Sequence, residues 1–298
     1  MHGVGAVKPK RIYDPIHRFI ELDAGEVALL SAPEVQRLRR LRQLGLAYLA
    51  FPSAEHSRFS HALGALALGT RVFDALVLHS PEAFGSAAEI AAQRALLRAS
   101  LLVHDLGHGP FSHACEAVLG VRHEARTRAI LARPELRAAI AALEVEPDAV
   151  LGLIVGAPDA DPVLRELVSG PNLDADRMDY LLRDAYFTGV AVGNYDSEQL
   201  VASLRVLDLG GRRELGVDGR GTVALESFVL ARYMMFATVY FHHTTRAFER
   251  VLREVLERLW PDPHALDDVD EFLAWDDFRV LDSIRDLDGE DVRALRER

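Results

Sequence analysis

The run LLVHDLGHGPFSH, residues 101–113, sets His104 and Asp105 side by side at the end of an apolar stretch, then follows them with His108 and His113. An imidazole and a carboxylate buried together are costly unless an ion or a countercharge joins them. Gly107, Gly109 and Pro110 end the helical pattern, and the glycines are expected to let the backbone turn and bring His108 and His113 back to the same point. Two other segments offer donors. RFSHALGALAL places His61 in a helix of small apolar residues, and NLDADRMDYLLRD offers Asp174, Asp176, Asp179 and Asp184. Imidazole and carboxylate ligands leave room for water on a divalent ion, which acidifies that water and offsets phosphate charge. The donor types admit Mn, Fe, Mg, Ni, Co or Zn without choosing among them. Taken singly, a histidine in an apolar helix is most often a core residue and a run of acids a solvated face. Three such segments together carry the metal reading.

The elements that must hold these groups are helices. Hydrophobic residues make up 49% of the 298, charged residues 27% and aromatics only 7%, with Ala, Leu and Arg abundant, which favours helix over sheet. A hairpin or extended arm is expected over 11–22. An Arg-rich helix should begin near Ser31 and Pro33 and end at Gly45. Further helices are expected over 57–78, 87–106, 112–119, 122–132, 147–155, 161–169 and 174–186. A β-hairpin is expected around Gly210–Gly211 in 203–218, and one long helix from Leu225 to Leu259. Residues 262–298 read as an acidic tail, a helix pair or partly mobile. The whole suggests one mainly α domain over 1–298, a helical bundle with small β-hairpins and a catalytic core of about 12–260.

With 34 basic and 45 acidic residues the net charge is −11, which opposes general coating of nucleic acid but allows a local basic pocket for a small phosphorylated ligand. Cys115 is the only cysteine, so an intrachain disulfide is impossible and a reducing cytoplasm is the expected home. No stretch reads as the roughly 20 apolar residues of a membrane span, and the start has no signal-peptide core.

The strings DPIHRFIEL, PEVQRLRRLRQLG, FPSAEHSRFSHALG, HDLGHGPFSH and DADRMDYLLRD, in that order, resemble the deoxynucleoside triphosphate triphosphohydrolases of the HD superfamily. The likeness runs from about Ile12 to Phe248. It implies a metal held by His61, His104, Asp105 and Asp176. Arg58, His108, His113 and His123 match groups lining the triphosphate, with His113 or His123 as proton donor. Arg177 stands where the family usually has Lys, and Tyr180 and Arg232 match further phosphate contacts. Gln43 and Asp184 match residues on the sugar 3′-hydroxyl, and Tyr240 one that crowds the 2′ position. The chemistry agrees. Arginines give charge-assisted bonds to phosphates, and an imidazole of pKa near 7 suits protonation of a departing 5′ oxygen. Glu116 or Glu124 can orient His123 and raise its pKa.

The resemblance also has a gap. Ser31 stands where allosteric members carry the acidic residue that reads an activating guanine, although Gln36 and Arg39 match other activator contacts. The sequence ends soon after the long helix, without those members' extra C-terminal lobe, so guanine-driven tetramers are not expected. A homo-oligomer acting on a dNTP is the leading expectation. The alternatives are a phosphodiesterase, nuclease or nucleotidase, taking short or single-stranded nucleic acid, and a non-catalytic nucleotide-binding regulator.

Overall fold

Small residues decide what surrounds the central helix, α3 (Arg58–His79). In the computed structural model, a side chain at Gly69 would strike Leu101 in α4 (Ala87–Val103), and one at Gly64 would strike Asp179 and Arg183 in α10 (Ala175–Thr188). Bare backbone at these two positions therefore lets α4 and α10 close on α3 from either side. The structure describes residues 9–285 and positions 287, 289, 292, 293 and 295. All three helix starts are capped as their sequences indicate, by Ser57, by a Ser86–Glu89 capping box and by Asp174. A continuous apolar core, including Leu66, Phe73, Leu101 and Leu181, fills the space between them.

Around this trio the architecture is mainly α. The N-terminal hairpin pairs β1 (Lys10–Asp14) with β2 (Arg18–Leu22), Ile12 opposite Ile20. The second pairs β3 (Leu204–Asp208) with β4 (Arg213–Val217), Val206 opposite Leu215. Helices α5 (His113–Leu119), α6 (His123–Leu131), α8 (Pro147–Val155) and α9 (Pro162–Ser169) fall where expected.

Several boundaries differ. The Arg-rich segment makes only α2 (Pro33–Arg37) and a 3-10 turn (Leu38–Arg40). Leu41 is extended because its carbonyl accepts from Arg58 N, and Arg42 bridges Ser57. Helices α1 (Ala24–Leu30), α7 (Pro134–Ala141) and α11 (Ser197–Ser203) were not anticipated, although α1 opens on an Asp23–Glu26 capping box. The expected long helix is broken into α12 (Thr222–Met235), a π-turn over Phe236–Tyr240, and α13 (His243–Leu259). Such turns recur at functional sites, and this one delivers Tyr240 to the cavity. The acidic tail forms α14 (Val269–Leu273) and α15 (Asp277–Ile284), burying Phe272, Val280 and Ile284.

The expectation that no stretch matches a membrane span needs correction. Arg58–His79 and Gly219–Tyr240 are both long and apolar enough by length and composition alone. The first is the core helix just described, mostly enclosed by protein.

Candidate metal centre and active-site cavity

His61 lies in the first turn of α3, His104 caps the end of α4, Asp105 follows it, and Asp176 lies in the first turn of α10. Their donor atoms converge. His61 Nε2 is 2.9 Å from Asp176 Oδ1, and His104 Nε2 is 3.4 Å from Asp105 Oδ1 and 3.9 Å from Asp176 Oδ1. Bonds of about 2.1 Å to one ion give ligand–ligand edges of about 3.0–3.4 Å, so these atoms need only close in slightly. Both Nε2 atoms are buried, and neither has a hydrogen-bond partner of good geometry. Each opposite nitrogen is tied back, His61 Nδ1 to Asp179 Oδ2 at 2.8 Å and His104 Nδ1 to the Leu101 carbonyl at 2.8 Å. That arrangement aims the two Nε2 lone pairs inward, as second-shell partners of metal ligands do. The residues fit a divalent ion.

Electrostatics support the same point. Burial opposes charge on His61, yet Asp176 and Asp179 push its pKa up to about 10, so an ion taking Nε2 displaces a proton. Burial would raise Asp105, but His104, Arg58 and His108 hold it well below the usual carboxylate range. Asp179 is the hub behind the centre. Besides His61 it meets His17 Nε2 at 2.6 Å and Arg183 through two bonds of 2.9 Å, and Arg183 donates onward to Asp14. The N-terminal hairpin thus reaches the metal centre through Asp14 and His17.

The loop after the HD pair turns in an unexpected way. Gly107 and Gly109 do not adopt positive φ; Phe111 and Ser112 do, both at 51°. Gly107 is instead required by close approach, since a side chain there would strike the His123 carbonyl and Thr127 of α6. His108 and His123 consequently stack at 4.1 Å with rings 14° from parallel, and His123 Nδ1 meets Glu116 Oε1 at 2.9 Å. One ion cannot lie in the planes of two parallel rings, so this cluster suits proton handling better than metal. The two imidazoles are driven apart in pKa. Burial and Arg58 lower His108 to about 3, whereas at His123 the Glu116 carboxylate outweighs burial and raises it. Such divergence separates neutral from protonated partners. The His113 side chain lies outside the described residues.

A cavity of about 580 Å³ opens over the centre. His104, Asp105, Asp176, His108, His123, Arg58 and Arg177 line it, together with Gln43, Tyr180, Asp184 and Tyr240. Arg58 is buried, donating to Asp105 at 2.7 Å and to Ser112 Oγ at 2.7 and 3.0 Å. Arg177 donates to the Gly170 carbonyl and to Asp174. Asp184 accepts from Tyr240 Oη at 2.8 Å and meets His56 Nε2 at 2.7 Å. Gln43 Oε1 is buried without a hydrogen-bond partner. Burial pushes the Tyr180 phenol up to about 12, leaving it a neutral donor. Arg232 and Glu116 do not line the cavity: Arg232 lies over Phe236, and Glu116 meets His123.

A family model described as HD associated region matches residues 195–298. A crystal structure of a hypothetical protein from Aquifex aeolicus superposes with a TM-score of 0.81 and 33% identity, covering 95% of this chain and 74% of that one. The uncharacterized protein YwfO of Bacillus subtilis is 36% identical over 85% of this chain. The deoxynucleoside triphosphate triphosphohydrolase SAMHD1 of Danio rerio is 26% identical over 87% of it. The chain belongs to the HD superfamily. It spans 57% of the Bacillus relative and 46% of the zebrafish enzyme.

Within this HD chain several site residues escaped the sequence reading. Asp179 stood in the acidic run with nothing to mark it as the residue behind His61. His17, Arg183, His56 and Ser112 act across long sequence gaps that only the fold closes. Phe241, just after the π-turn, and Thr245 and Arg246, at the start of α13, also line the cavity. The expected activator contacts are engaged internally: Gln36 donates to the Leu30 carbonyl, and Arg39 donates to Gln36 and lies over Phe59.

Proposed function

We propose that this HD protein is a metal-dependent phosphohydrolase that cleaves deoxynucleoside triphosphates to deoxynucleoside and inorganic triphosphate. One observation carries the reading: a single cavity joins His104, Asp105 and Asp176, the last meeting the buried His61, and two arginines to a polar cluster of Gln43, Asp184 and Tyr240. The first part suits a phosphate chain and the second a sugar hydroxyl. A bound divalent ion would offset phosphate charge and acidify water there.

The protein's own groups perform the rest. Arg58 and Arg177 neutralise and orient the triphosphate, Arg232 adds charge, and Tyr180 donates a hydrogen bond. Asp184 and Gln43 hold the 3′-hydroxyl, with Tyr240 beside the 2′ carbon. A water oxygen attacks the α-phosphorus, losing a proton to the solvent that later recharges His123, and the bond to the 5′ oxygen breaks. His123, charged through Glu116, gives its proton to that oxygen. His108 stays neutral beside it, and His113 is the alternative proton donor. The proposal includes a homo-oligomer, for which α12 offers exposed Val223, Val229, Leu230 and Tyr233.

The test uses stripped protein reloaded with Mn, Mg, Fe or Zn and given the four dNTPs, the four NTPs or a single-stranded oligonucleotide. Deoxynucleoside plus triphosphate is the expected product. Mononucleotides from the oligonucleotide, with dNTPs intact, would make it a nuclease. Nucleotide binding without any turnover would make it a regulator.

A further inference from the structure

Asp277, the first residue of α15, is buried, and its carboxylate faces the active-site loop. Oδ1 accepts from Phe111 N at 2.8 Å, and Oδ2 accepts from Arg42 N at 2.8 Å. Phe111 is the first of the two positive-φ residues, and Ser112, the second, accepts two of the three side-chain bonds of Arg58, the third going to Asp105. A second tie lies alongside. The fully buried Arg37 guanidinium donates to the His108 carbonyl at 2.9 Å and to the Trp275 carbonyl at 2.9 Å, and Arg40 pairs with Asp276. The amides of Arg42 and Phe111 are thus held by Asp277, while Arg37 ties the His108 carbonyl to that of Trp275.

We infer that Asp277, within the HD associated region, is a positioning residue that braces the 108–112 loop in its positive-φ turn and so sets Arg58 in the cavity. Neither Phe111 nor Ser112 has glycine's freedom at positive φ, so the turn needs an acceptor fixed on Phe111 N to persist. An ionised carboxylate provides a strong one, and the short α15 has it buried among Val280 and Ile284. Among the described residues, none of the tail lines the cavity. The link to catalysis rests on the function proposed above, whereas the brace itself does not.

Amide hydrogen exchange on the full chain tests the brace without any substrate. Asp277→Asn, which puts a donor against one of the two N–H groups, should speed exchange at Phe111 by about tenfold or more. The comparison is Leu76→Ala, a core deletion at the far end of α3 that lowers global stability and leaves the loop contacts alone. Phe111 exchange in Asp277→Asn no faster than in Leu76→Ala overturns the proposal. If the Asn variant does not fold, Asp277→Glu keeps the charge, displaces the oxygens by a methylene and is read by the same criterion. Metal content should stay at the wild-type level, and KM for a dNTP should rise more than kcat falls. Wild-type protein inert to dNTPs would sink the substrate reading while leaving the exchange result to judge the brace.

Discussion

Asp179 Oδ2 stands 2.8 Å from Nδ1 of His61, which precedes it by 118 residues, and turns the opposite nitrogen of that ring toward Asp105 and Asp176. Asp179→Asn keeps the shape but weakens this hold, and metal affinity should fall by about 10–100-fold, read by chelator competition. Asp105→Ala removes a ligand itself, so metal and activity should vanish together. Full metal content in that variant would take Asp105 out of the ligand set, and undiminished affinity in Asp179→Asn would leave Asp179 a purely structural residue.

His123 should control the alkaline side of the pH–rate profile. Glu116 raises its pKa above the ordinary imidazole value, so the acid form persists past pH 6.5 and the rate falls as pH rises through the raised pKa. Glu116→Gln removes the charge and should move that limb to lower pH, incompletely because Glu124 also lies within 3.8 Å. His123→Ala should keep the metal and lose on the order of 100-fold or more in turnover. Unchanged turnover would pass the proton-donor role to His113.

Recognition of the sugar should appear as a difference between substrates. Asp184→Asn and Gln43→Ala should each raise KM for a dNTP, by about tenfold for a lost hydrogen bond to a charged group and less for the neutral Gln43. A 2′,3′-dideoxynucleoside triphosphate lacks the hydroxyl and should respond little to either change. An equal response from both substrates would mean that the pair supports the cavity without contacting the sugar.

The donors were legible because their types are rare in apolar surroundings. His61 sits among small hydrophobic residues, His104 and Asp105 end an apolar helix, and Asp174 precedes a helical pattern as its N-cap. Helix boundaries followed from local capping, as Ser57, Ser86 and Asp174 show. The broken helix at Phe236–Tyr240 was not legible, since no Gly or Pro interrupts the helical pattern there. Nor was the turn after Asp105, where glycine's backbone freedom pointed to Gly107 and Gly109 and the backbone used Phe111 and Ser112.

The sequence by itself determined the chemistry on offer: imidazoles and carboxylates at helix ends, arginines beside them, and the helices that carry both. Those properties are local, set by residue type and by spacing along one turn. Only the tertiary structure decided which acid stands behind His61, that the pKa of His123 is raised while that of His108 is lowered, and that Asp277 holds Phe111. Each of those depends on distances of a few ångströms between segments far apart in the chain, and on burial, which turns a nearby charge into a large shift in protonation.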